Sequence, residues 1–154
     1  MTSEPRHSWP DLAGRLRDGV HVLPVRVYYE DTDFSGVVYH ASYLRFMERG
    51  RSDFVRLSGV GHAELFDEAV PLAFVVRRMS IEYLRPARID DVLEVETRAE
   101  AVAGASFTLA QTVRRGAETL VTARVVAALV DPQGRPRRIP AHLRARLAQG
   151  LASD

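Results

Sequence analysis

The chain contains no cysteine, which excludes disulfides, thiolate metal sites and a cysteine nucleophile together. It lacks any apolar run near the roughly 20 residues that a membrane-spanning helix needs, and no secretory apolar segment is expected after Met1. Charge of one sign is also missing. Its 21 Lys and Arg against 20 Asp and Glu leave a net charge of +1, which gives no drive toward nucleic acid or an anionic surface. Tryptophan occurs once, as Trp9, and no internal repeat or low-complexity tract is present. What remains is a chain of 154 residues, suited to one domain that buries a single core without cross-links. The expected compartment is the cytoplasm.

The residues able to do chemistry concentrate between Val25 and Leu57. Val25, Val27 and Tyr29 alternate with Arg26 and Tyr28, the period of a strand. Glu30, Asp31 and Asp33 follow. Phe34-Ser35-Gly36 then turns the chain, glycine supplying a backbone conformation that side chains disfavour. From Ala41 to Leu57 there is no proline, and Tyr43, Leu44, Phe46, Met47, Gly50, Phe54, Val55 and Leu57 recur at mixed spacings of three and four. A helix is expected to start near His40. Its first half is apolar around much of its circumference, the pattern of a helix wrapped by other structure. Carboxylates ahead of such a helix can simply cap it, or can stand beside its free amides as reactive groups.

The remainder reads as strands. Leu72 to Leu84, Val92 to Ala101, Ser106 to Arg114 and Thr119 to Val130 are divided by Pro86 and Asp90-Asp91, by Gly104, and by Arg115-Gly116. One strand, one long helix and four strands joined by short turns make an α+β order. Residues 1–23 are expected to be a partly flexible N-terminal extension, with a short helix from Asp11 to Arg17 and Trp9 as a staple. Residues 24–140 form the domain, and 141–154 a C-terminal helix or tail carrying Leu143, Leu147 and Leu151. Ser58 to Pro71, with a helical pattern from Ala63 to Glu68, is the connection between helix and strands. Asp31-Thr32-Asp33-Phe34-Ser35-Gly36 also opens like a calcium loop, with glycine sixth. Ser42 occupies the twelfth position in place of a bidentate glutamate, and a strand precedes the loop, so no metal site is expected.

The segment VRVYYEDTDFSGVVYHASYLRFMERGRSDF resembles the active-site segment of the YbgC-type, 4-hydroxybenzoyl-CoA-thioesterase-like acyl-CoA thioesterases. The likeness continues through Phe74-Val75-Val76-Arg77-Arg78-Met79, Glu82-Tyr83-Leu84-Arg85-Pro86-Ala87-Arg88 and Val130-Asp131-Pro132, covering Val25 to about Pro140. It implies the hotdog fold, a long central helix wrapped by an antiparallel sheet of about five strands. It also implies hydrolysis of an acyl-CoA thioester to free acid and CoA, with CoA as part of the substrate and no bound cofactor. A homodimer or homotetramer would place each site at a subunit boundary. The resemblance further suggests an acyl-carrier protein as a partner and an association with the Tol–Pal envelope system, which would make a cytoplasmic enzyme peripheral to the inner membrane. A non-catalytic acyl-thioester-binding or scaffold module linked to Tol–Pal is the alternative. A hotdog hydratase is disfavoured, because that group's histidine motif is absent.

The resemblance places the catalytic carboxylate at Asp33, as general base or as nucleophile. It places the carbonyl-polarising backbone N–H at His40, at the helix start. The His40 imidazole can orient water, bond Asp33 or cap the helix, and Tyr39 can assist or pack. Glu48, on the helix, is the rival carboxylate, or else pairs with Arg45 or Arg51. Asp31 is expected to order the loop, and like charge is expected to raise its pKa or that of Asp33. Gly36 shapes the turn. Arg77, Arg78, Arg85 and Arg88 are candidates for the CoA phosphates, although neighbours in a regular strand face opposite ways. Val38, Tyr43 and Phe74 are expected to line the acyl chamber.

Overall fold

The computed structural model describes residues 12–61, 65, 67 and 69–151. Trp9 and most of the Ala63 to Glu68 pattern lie outside them. Chain order runs β1 (Arg15–Arg17), β2 (Val20–Arg26), a single 3-10 turn (Tyr29–Asp31), α1 (Ser42–Leu57), β3 (Ala73–Tyr83), β4 (Val92–Val102), β5 (Ser106–Arg115), β6 (Glu118–Val130) and α2 (Ala141–Leu151). The strands form one antiparallel sheet in the order β1-β2-β4-β5-β6-β3. This is the expected α+β hotdog arrangement, with six strands rather than five.

The additional strand corrects the reading of the N-terminus. Arg15–Arg17 is not the end of a helix but one arm of a hairpin, closed by Asp18 and Gly19 with φ of 51° and 79°. Two successive positive φ values make the tight turn whose twist suits paired strands. β2 also begins at Val20, five residues ahead of the expected Val25, and pairs with β4 along its whole length. The sheet therefore takes in residues assigned to the extension.

Burial along α1 follows one stripe, Tyr43, Phe46, Met47, Gly50, Phe54 and Val55, while Leu44, Arg45, Glu48 and Arg49 are exposed. Within one chain the helix is thus amphipathic rather than enclosed all round, because the sheet curls about a single side. Phe46 and Met47 pack with Val25, Val27, Leu93, Val95 and Leu120. Phe54 and Val55 pack with Phe107, Leu109, Leu129 and the α2 leucines Leu143 and Leu147, so α2 docks on its own domain. Between these clusters Gly50 lets helix and sheet approach closely: a Cβ there would lie 2.8 Å from Val95 Cγ1 and 3.2 Å from Thr97 Oγ1. Beneath it, buried Gln111 donates from Nε2 to the Met47 carbonyl and to Thr97 Oγ1, each at 2.9 Å, and accepts from Arg51 Nη1 at 3.0 Å. Among the described residues no helix is long and apolar enough to cross a membrane.

β3 ends the sheet. Its pairing with β6 shifts register between Val76 and Arg78, leaving Arg77 as a bulge.

Candidate active site

The loop between β2 and α1 is ordered by its own carboxylates. Asp31 is buried, accepts the Tyr28 amide at 2.8 Å on Oδ2, and offers its carbonyl to the Tyr39 amide at 2.9 Å and the Ser42 hydroxyl at 3.1 Å. This is the loop-ordering role expected of it. Asp33, two residues on, opens a tight turn in which the Gly36 amide donates to the Asp33 carbonyl at 3.1 Å and the Asp33 amide to Val37 at 2.9 Å. Gly36 closes this turn at φ 85°, a region that favours glycine.

One oxygen of the Asp33 carboxylate is committed to that turn. Oδ1 accepts the Ser35 hydroxyl and, at 2.8 Å, the Ser35 amide. Among the described residues Oδ2 takes no hydrogen bond. The Ser35 hydroxyl first, and then its amide, hold the Asp33 carboxyl below the usual carboxylate range. The like-charge argument anticipated a rise at this pair, and for Asp33 the direction is the opposite, because two donors converge on one oxygen.

The start of α1 carries no cap. The position before the helix is Ala41, which has no side chain to offer, and the first turn has no acid. Neither Asp31 nor Asp33 reaches these amides, since each serves its own loop, and the His40 imidazole does not cap the helix either. The His40 and Ala41 amides donate to no acceptor, while the His40 carbonyl accepts the Tyr83 hydroxyl at 2.9 Å. Uncapped N–H groups at a helix start, with the dipole behind them, suit a carbonyl oxygen that gains negative charge.

His40 borders a cavity of about 270 Å³ that is also lined by Val38, Tyr43, Tyr83, Arg85 and Pro86. Tyr43 is buried, and its hydroxyl accepts the Ala87 amide at 2.9 Å, so it braces the wall. Val38 is pinned beside it, its amide donating to the Ala87 carbonyl at 2.8 Å. The His40 ring lies between Tyr39, with centroids 4.5 Å apart, and Tyr83 at 6.2 Å. No hydrogen bond joins His40 to Asp33.

Other sequence candidates lie elsewhere in the single chain. Glu48 and Phe74 line a second cavity of about 300 Å³, with Arg51, Val55, Phe107 and Leu109. Phe74 is nine residues from Tyr83 along β3, roughly 30 Å at 3.3 Å per residue, so it cannot share a chamber with Val38 and Tyr43 in one chain. Glu48 forms no direct ion pair with Arg45 or Arg51 and acts on Arg51 only through space. Arg77 and Arg78 stand on the exposed edge strand, and the bulge removes the strict alternation that set them on opposite faces. Arg85 is paired with Glu118 at 3.1 Å. Arg88 is exposed, its amide donating to Asp91 at 2.9 Å. Tyr83, which sequence reasoning passed over, is the added member of the site.

A six-stranded antiparallel sheet against one long helix, with a carboxylate loop and unpartnered amides just ahead of that helix, defines the class as a hotdog-fold protein. A family model of the thioesterase superfamily matches residues 35–122. The acyl-CoA thioester hydrolase YbgC of Escherichia coli is 44% identical over 128 residues, covering 82% of this chain and 94% of its own. The acyl-CoA thioesterase YbgC of Haemophilus influenzae is 44% identical over 116 residues, covering 75% and 85%. A Bartonella henselae crystal structure described as "Probable Thioesterase" matches with a TM-score of 0.77 at 49% identity, covering 79% of this chain and 99% of that one. The chain belongs to the thioesterase superfamily.

Proposed function

We propose that this thioesterase hydrolyses acyl-CoA thioesters, with the reacting carbonyl held at the start of α1 and Asp33 acting on it. The observation that carries the reading is the pair of unpartnered amides at His40 and Ala41, with His40 and the loop residue Val38 lining one cavity. In the general-base route, water bonds to the thioester carbon as its proton passes to Asp33 Oδ2. The carbonyl oxygen takes the charge against the amides. Collapse then breaks the C–S bond, and the proton leaves with the CoA thiolate. In the nucleophilic route Asp33 bonds to that carbon, releases the thiolate and forms a mixed anhydride that water cleaves. Tyr39 and His40 flank the carbonyl, and Arg77, Arg78 and Arg88 are the cations offered to the CoA phosphates. The names of the YbgC relatives support the acyl-CoA class, and the enzyme would work in the cytoplasm.

The working unit is a homodimer, or a tetramer built from it, joined through β3. Support comes from the exposed edge strand, where Val75, Val76 and Tyr83 are 40%, 48% and 45% accessible, a row of unpaired backbone groups that proteins seldom leave bare. Antiparallel pairing of two such strands about a two-fold axis sets the Phe74 end of one beside the Tyr83 end of the other. Phe74 and Glu48 of one chain then extend the cavity of its mate. Presentation of the acyl group by a carrier protein, and peripheral contact with the membrane through Tol–Pal, belong to the same reading.

The experiment is thiol release from acyl-CoAs of increasing chain length and from benzoyl-CoA, comparing wild type, Asp33→Asn and Glu48→Gln. We expect kcat to fall about a thousandfold or more in Asp33→Asn, roughly 4 kcal/mol, with the circular dichroism unchanged. Full activity in that variant would remove Asp33 from the chemistry. Loss confined to Glu48→Gln would move the chemistry onto the helix, and binding without turnover by wild type would leave a thioester-binding module.

A further inference from the structure

The hydroxyl of Tyr83 spans 43 residues of sequence to donate to the His40 carbonyl. Its ring meets His40 edge-on at 6.2 Å and Tyr43 at 5.7 Å. Tyr83 is itself held in place: as the last residue of β3 it pairs with Val121, and the next amide, Leu84, donates to the Leu120 carbonyl at 2.8 Å. A rigid strand end thus reaches the loop-to-helix junction. The junction needs such a brace, because α1 has no side-chain cap to fix its first turn.

The His40 carbonyl and the Ala41 amide belong to one planar, trans peptide unit and point in opposite directions. Fixing the carbonyl therefore aims the amide. We infer that Tyr83 is a positioning residue for the hydrolysis proposed above: by holding the His40 carbonyl, its hydroxyl points the unpartnered Ala41 amide at the thioester oxygen. The role rests on the hydrolase reading and adds to it a residue 43 positions further along the chain. Partial desolvation pushes the Tyr83 phenol up, and a phenol is in any case protonated, and so a donor, at neutral pH. Tyr83 forms no bond in the reaction and moves no proton. Its contribution is direction, so it acts on kcat, where the charge on the oxygen develops, more than on ground-state binding.

Tyr83→Phe retains the ring contacts with His40 and Tyr43 and deletes the donor. With an acyl-CoA that wild type hydrolyses, kcat should fall at least tenfold while KM stays within threefold and the melting temperature is unchanged. A second readout uses the Asp33→Asn protein to hold unreacted acyl-CoA. Infrared spectroscopy should show the bound thioester carbonyl shifted to lower frequency, and adding Tyr83→Phe should remove most of that shift. Should Tyr83→Phe fail to accumulate, Tyr83→Gln keeps a donor and Tyr83→Leu does not, so the Gln protein should turn over faster than the Leu protein. The inference is overturned by a Tyr83→Phe kcat within threefold of wild type, by a loss carried in KM, by an unchanged carbonyl frequency, or by equal Gln and Leu proteins. If wild type releases no thiol from any acyl-CoA, the hydrolase reading fails instead, and the carbonyl frequency still decides the role of Tyr83.

Discussion

The two ends of α1 are built to opposite rules. At the C-terminus the Ser58 amide and hydroxyl both bond the Phe54 carbonyl, at 3.0 and 2.7 Å, the chain turns at Gly59 with φ 97°, and the Val60 amide closes on Val55 at 3.2 Å. Close by, fully buried His21 bonds Asp53 at 2.7 Å, and Arg56 pairs with the other Asp53 oxygen. At the N-terminus there is no cap, no acid in the first turn, and two amides without acceptors. A side-chain cap there would be worth about 1 kcal/mol. One end of the helix is satisfied by the protein, and the other is not.

That contrast predicts which substitutions affect stability and which affect rate. The largest effect on stability should come from Asp53→Ala, which leaves His21 buried with neither ring nitrogen bonded, since Nδ1 already lacks a partner. Denaturant unfolding should show a loss of about 2–3 kcal/mol, with thiol release changed less than threefold. A comparable fall in turnover would mean that the two ends are coupled.

Ala41→Asp tests the other end. A carboxylate at this N-cap position should stabilise the helix by about 1 kcal/mol, seen as a raised melting temperature. Its negative charge beside the free amides should also oppose the charge gained by the carbonyl oxygen and lower kcat by about tenfold, roughly 1.4 kcal/mol. Stabilisation with full activity would show that these amides do not hold the reacting carbonyl.

The smallest change is Ser35→Ala. Ser35 holds the Asp33 carboxyl below the usual range, so Asp33 keeps its charge until the pH falls through that lowered value. Its contribution to folding is correspondingly present above the unfolded-state pKa and lost as pH falls through the folded one. Without the hydroxyl, the acid limb of kcat/KM should move to higher pH while the plateau stays near wild type. An acid limb that does not move would assign it to another group.

Much of this was legible in the chain. β4, β5 and β6 fall within about two residues of their expected bounds, because alternation along a half-buried sheet and turn residues such as Gly104 and Gly116 are local signals. The Asp18-Gly19 pair was an equally local signal for the β1–β2 hairpin, overlooked in favour of a weak helical pattern in a polar stretch. The separation of Phe74 from Tyr43 was not legible, because it depends on Tyr83 packing beside Tyr43, a contact made only in the folded chain. Nor was the Arg77 bulge, because register is set between strands and not along one.

The sequence alone thus establishes the order of α1 and the four strands that follow it, and the acid, turn and helix start that stand within a few residues of each other. These depend on near neighbours and on periodicity. Three features belong to the folded chain only: which oxygen of Asp33 is free, which amides lack acceptors, and that Tyr83 reaches His40. Each depends on where groups far apart in sequence come to rest once strands pair and the helix docks, and hydrogen-bond partnership is a property of that arrangement.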